Sequence, residues 1–183
     1  MPRMVSMISG INVAGARPLK MAKLREIYER LGFKEVRTYL QSGNAVCRVG
    51  SGDAGRHAAA IERAIKEECQ YQAPVSALSE EAISAVVASN PLIGRPSVNP
   101  AFLHVTFLMA PSGASPLDRS RVPLGPGEDI VIVGNVAYLY CPNGYGNTKI
   151  NNAYFEKALS TRATTRNWRT VLALERMARG LEA

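Results

Sequence analysis

The chain has 183 residues, 46% of them hydrophobic and 20% charged, and its 22 Lys and Arg against 15 Asp and Glu give a net charge of +7. That balance excludes a disordered chain and a large multidomain assembly, and leaves room for one ordinary domain or two small ones. Its apolar stretch from Ala101 to Ala110 is broken by His104 and Thr106 and falls far short of the roughly 20 residues a membrane helix needs, so no membrane partner is expected. The opening Met1-Pro2-Arg3-Met4-Val5-Ser6 has no apolar export core, and the sequence is read as cytoplasmic.

Met4 to Ser9 reads as a strand, and the loop from Gly10 leads into a helix whose Leu24, Ile27, Tyr28 and Leu31 recur at i, i+3, i+4 and i+7 before Gly32. Val36 to Leu40 and Ala45 to Val49 form a hairpin around Gln41-Ser42-Gly43-Asn44. A helix with Ile61, Ala64, Ile65 and Cys69 on one face and an extended Val75 to Leu78 complete a β-α-β-β-α-β order, the ferredoxin-like unit.

The second half partly repeats this order. Ser79 with Glu80 and Glu81 opens a helix that Asn90-Pro91 stops, and Phe102 to Met109 is a strand. Pro111 to Gly127 reads as a surface loop with a short turn, and Ile130 to Val133 and Val136 to Tyr140 as a hairpin with Gly134 first in a type II′ turn. The last helix carries the stripe Val171, Leu174, Ala178 and Leu181, with Thr164 or Thr165 as its cap and Arg166 and Asn167 in its first turn. The predicted fold class is α+β, two ferredoxin-like subdomains with antiparallel sheets covered by helices, spanning 1–79 and 80–183.

Charge is concentrated at the ends, with 9 basic and 3 acidic residues in 1–49, 6 and 9 in 50–141, and 7 and 3 in 142–183. If the ends meet, they form a face suited to anions. Cys47, Cys69 and Cys141 lie in apolar-periodic segments, as reduced packing thiols do, and with only His57 and His104 they offer no metal-ligand spacing, so no metal is expected.

Two glycine-rich strand-to-helix loops carry the candidate chemistry. Cys141 to Lys149 offers Gly144, Tyr145, Gly146 and Lys149 at a predicted helix start, where backbone N–H groups and an ammonium suit an anion, although the glycine spacing is not that of a phosphate loop. A tight turn capped by Asn147 or Thr148 accounts for the same residues. Arg166 and Asn167 follow in the first turn of the last helix, where a cation works against the dipole unless a ligand or acid compensates. In the first half, Asn12 in the Gly10 to Lys20 loop and Gln41, Ser42 and Asn44 in the hairpin turn complete the ligand-binding set, with turn chemistry as the plain alternative.

At these residues the sequence resembles the bacterial domain-of-unknown-function family 1697. The resemblance rests on Gly10-Ile11-Asn12-Val13, the Lys20 to Phe33 helix, Val36 to Asn44, Pro142-Asn143-Gly144-Tyr145-Gly146 and Ala163 to Thr170, with Ala14, Ala16 and Asn147 as departures. It implies two ferredoxin-like subdomains and no established reaction, cofactor or catalytic residue.

Three functions stay open at this point. The first is a binding module for a phosphate-bearing or other anionic ligand, a nucleotide or single-stranded nucleic acid, although the aromatic signature of an RNA-recognition motif is missing. The second is an enzyme of unknown reaction using Tyr145 or Lys149 as proton donor, which lacks a recognisable base. The third is a structural or protein-interaction module in which Arg166 and its neighbours tie elements together.

Overall fold

A computed structural model of the chain describes residues 1–13, 15–109, 117 and 121–182. They divide into two compact units, Met1–Val87 with Leu172–Ala183, and Ala88–Val171.

The first unit holds β1 (Arg3–Ile8), α1 (Met21–Arg30), β2 (Lys34–Tyr39), β3 (Asn44–Arg48), α2 (Ala54–Cys69) and β4 (Val75–Ser79). The strands form one antiparallel sheet in the order β2-β3-β1-β4. Period-two alternation puts Met4 and Ile8 of β1 on the face that packs with Leu24, Ile27 and Tyr28 of α1 and Ile61 and Ile65 of α2. Each such fully buried aliphatic side chain contributes about 1.5–3 kcal/mol. Ser6, on the same face, is accommodated by a 2.7 Å hydrogen bond with the Tyr28 hydroxyl. Asp53 caps α2 by accepting from Arg56 N at 2.7 Å.

The second unit holds β5 (Leu103–Met109), β6 (Asp129–Val133), β7 (Val136–Tyr140), a short helix α4 (Asn152–Leu159) and β8 (Arg162–Asn167). Its sheet order, β6-β7-β5-β8, repeats that of the first unit strand for strand. Leu108, Ala137, Leu139, Phe155 and Ala163 share its core. At the β6–β7 turn Gly134 has φ 56°, the positive value the first position of a type II′ turn requires. Two ferredoxin-like sheets with helices, in an α+β chain, are therefore the architecture. Among the described residues no helix is long and apolar enough to cross a membrane.

Two details differ from the sequence reading. Ala163 to Asn167 belong to strand β8, and the last helix, α5 (Trp168–Ala178), begins only after them. The threonine run follows its β-branched preference, and Asn167 supplies the cap by accepting from Thr170 N at 2.8 Å. The segment after β7 opens no α-helix either: Tyr145–Asn147 form one 3₁₀ turn, and α4 starts at Asn152 under an Asn151 cap. Helix α3 (Glu80–Ala88) belongs to the first compact unit as far as Val87, and α5 belongs to it from Leu172. The loop predicted over 111–127 lies outside the described residues apart from Leu117 and 121–127.

Candidate functional site

The proposed ligand residues fall into two groups. Asn12, Gln41, Ser42 and Asn44 meet in the first unit, where they secure two loops. The Asn12 side chain accepts from Leu19 N at 2.8 Å and donates to Leu19 O at 2.9 Å and Gln41 O at 2.7 Å. Its φ of 54° is a left-handed value that asparagine tolerates better than most residues. Asn44 is fully buried and donates to Tyr39 O at 3.1 Å and Ser42 Oγ at 2.9 Å. Between them Gly43 has φ 76°, and a Cβ there would lie 2.7 Å from Ile11 Cδ1 and 2.9 Å from Ile8 Cβ. The amides of Asn12 and Asn44 thus serve the loops, as turn chemistry requires, and Gln41 and Ser42 remain exposed beside them.

The second unit brings Tyr145 and Arg166 together electrically. Tyr145 sits in the 3₁₀ turn after β7 and stacks on His104 of β5, with ring centroids 4.8 Å apart and an interplanar angle of 24°. Register places His104 opposite Asn167, and Thr106 opposite Thr165, so these four side chains project from one face of the β5–β8 pair. Thr106 Oγ1 and Thr165 Oγ1 share a 2.7 Å hydrogen bond, and Thr165 Oγ1 donates to Asn152 Oδ1 at 2.7 Å. The Tyr145 hydroxyl faces this relay without a well-formed bond to it: the oxygen is buried and has no hydrogen-bond partner among the described residues. Burial pushes its pKa up, while Thr165, the Asn152 backbone N–H and the Arg166 charge pull it down.

Arg166 starts on the opposite face of β8, facing Val105, and folds back so that Nη1 donates to Thr165 O at 2.9 Å and Thr164 Oγ1 at 3.1 Å. Burial lowers its pKa from the ordinary guanidinium range to about 10, and Tyr145 acts in the other direction. His104 is likewise held below the ordinary imidazole range by burial, against the opposing pull of Phe102 O, 3.2 Å from Nδ1.

The other predicted residues are placed more loosely. Lys149 and Gly146 are exposed, Gly144 turns the chain with φ 89°, and Asn167 is engaged as the α5 cap. Lys149 precedes the α4 cap by two residues, so it does not sit on a helix terminus as the sequence reading placed it. That reading overlooked His104, Thr106 and Asn152. Their trace is the alternation of β5, where His104 and Thr106 interrupt an apolar strand on the same side. Among the described residues no three His, Cys, Asp or Glu side chains converge as a metal site needs.

These features define an α+β protein of two ferredoxin-like units with a polar, cationic corner in the second. The chain belongs to the family of proteins of unknown function DUF1697, whose profile matches residues 1–138. The match includes the Gly10 to Asn44 stretches and ends before Pro142. A conserved bacterial protein from Streptococcus pneumoniae has a similar solved structure, at TM-score 0.71 and 20% identity over 97% of this chain and 98% of that one. That likeness is one of fold. No curated protein matches the sequence.

Proposed function

We propose that the chain is a binding module for a phosphate-bearing or other anionic ligand, a nucleotide or single-stranded nucleic acid, held in the second unit at Arg166 and Tyr145. The observation that carries this reading is the Tyr145 hydroxyl, a buried donor with no well-formed acceptor among the described residues, within electrostatic reach of the Arg166 guanidinium. An anionic oxygen beside the Tyr145 hydroxyl accepts its proton in a hydrogen bond and lies within the field of the Arg166 guanidinium. The half-buried rings of His104 and Tyr145 supply a flat surface beside the anion, and the exposed Lys149 and Arg169 add to its field.

The test is the thermal midpoint against inorganic phosphate, mononucleotides, dicarboxylates and single strands of about eight nucleotides, each at low and high salt. A ligand at about 100 times its Kd stabilises by about 2.7 kcal/mol, or about 5–10 °C for a chain of this length. Tyr145→Phe removes an unsatisfied buried hydroxyl, so it leaves the ligand-free midpoint unchanged or higher while abolishing most of the ligand shift. Arg166→Gln weakens the same ligands at least tenfold. Equal shifts in the wild type and both variants, or no shift with any anion, would overturn the reading.

A further inference from the structure

Among the described residues the two sheets end in four edge strands, β2 and β4 in the first unit and β6 and β8 in the second. Three of them carry devices that block further pairing. Strand β2 presents Lys34, Glu35 and Arg37, has a register irregularity between Lys34 and Arg37, and holds Glu35 at φ 51°. Strand β4 runs directly into α3, with Ser79 Oγ accepting from Ala82 N at 3.2 Å. Strand β8 bears Arg162 and Arg166, the second folded back on its own strand. These are the charges, bulges and abrupt ends by which edges avoid a neighbour.

Strand β6 has none of them. Its sequence is Asp-Ile-Val-Ile-Val, its register with β7 is unbroken over all five residues, and it contains no lysine, arginine, glycine or proline. Its one charge, Asp129, is matched by Arg95 at 2.8 Å. Val133 is 47% exposed, and Val131 and Ile132 are half-buried. The described part of the segment leading to β6 packs on the core side of the sheet, with Val122 in the core and Leu117 and Leu124 against it. A β-branched, regular edge whose one charge is already paired is the kind that accepts another strand.

We infer that β6 pairs antiparallel with β6 of a second copy of this chain, joining two four-stranded sheets across a two-fold axis at Val131. The occupant is argued from charge and symmetry. In that register Val131 meets the partner's Val131, Ile130 meets the partner's Ile132, and Asp129 meets the partner's Val133, so no like charges face each other and the aliphatic side chains pair along the seam. Any partner strand rich in charge forfeits that match.

The full chain, followed by sedimentation or light scattering over roughly 10 to 500 µM, the range in which a small interface associates, rises from 19.8 kDa towards twice that mass. V131K sets two lysines across the axis and stays at the monomer mass throughout, as does V131E. An equimolar mixture of V131K and V131E regains the dimer, which an unfolding artefact does not produce. Should V131K lower the thermal midpoint, V133E at the more exposed position, which sets a second carboxylate opposite the partner's Asp129, makes the same test. A wild type that stays monomeric over the whole range, or a V131K that associates as the wild type does with its midpoint intact, overturns the inference.

Discussion

The rings of His104 and Tyr145 lie 4.8 Å apart and 24° from parallel, which ties strand β5 to the turn after β7 inside the second unit. The stack encloses the imidazole, and burial disfavours its protonated form. The folded pKa is therefore below the unfolded value of 6.5. The unfolded chain binds the proton first as pH falls, so this group's contribution is present above pH 6.5 and is lost as pH drops through the folded pKa. Nuclear magnetic resonance titration finds His104 with a midpoint below that of a free imidazole, and His104→Phe flattens the acid limb of stability against pH.

Asn12 is the fastener of the first unit's loops. Asn12→Ala removes an acceptor and two donors from the Leu19 and Gln41 backbone groups and leaves alanine in a left-handed conformation. The loss is about 2–3 kcal/mol at about 1 kcal/mol per bond, less what water repays at the exposed end. Urea unfolding reads it as a lower midpoint with an unchanged slope. Anion shifts of the second unit persist in this variant.

Asn167 caps α5, so Asn167→Ala costs about 1 kcal/mol and lowers the thermal midpoint by about 2–4 °C. Asn167→Asp keeps the acceptor and restores the midpoint. Equal loss in both variants would show that the amide donors, not the cap, are what matters there.

The three cysteines separate by burial. Cys47 and Cys141 are buried, and desolvation first of all pushes their thiols up to about 12 and about 11, from 9.0. Raised acid values mean that their contribution to stability is complete below pH 9 and is lost as pH climbs through 11 and 12. The slope is about 1.4 kcal/mol per pH unit for each thiol within its window. Cys47→Ala with Cys141→Ala reduces that alkaline slope. A thiol reagent at neutral pH titrates half-buried Cys69 in the native chain and all three cysteines in urea.

Most of the fold was legible because apolar periodicity and turn chemistry agree locally. The stripe at Leu24, Ile27 and Tyr28, the turn at Gly43 and the Gly134-Asn135 hairpin each depend on residues close in sequence. The end of β8 was not legible in that way. Thr164 and Thr165 read equally as helix caps and as strand residues, and only pairing with Thr106 and Phe107, more than fifty residues away, decides between them. The same long-range pairing turns Arg166 from a misplaced helix cation into a strand residue. It also brings His104 into line with Thr106 and Thr165, a grouping that spacing along the chain cannot express.

Helix α5 begins in the second unit and enters the first at Leu172. There Glu175 accepts from Ser84 Oγ at 3.2 Å, Leu181 O lies 3.5 Å from Arg37 Nη1, and Gly180 sits close to the Arg3 guanidinium. During synthesis the first unit's strands leave the ribosome early, yet the helix that completes their packing is made only after the second unit. For about 10 s at typical elongation rates the amino-terminal sheet has to wait, partly covered, while the whole second unit is translated. Residues from Leu172 onward thus close the structure that β1 begins.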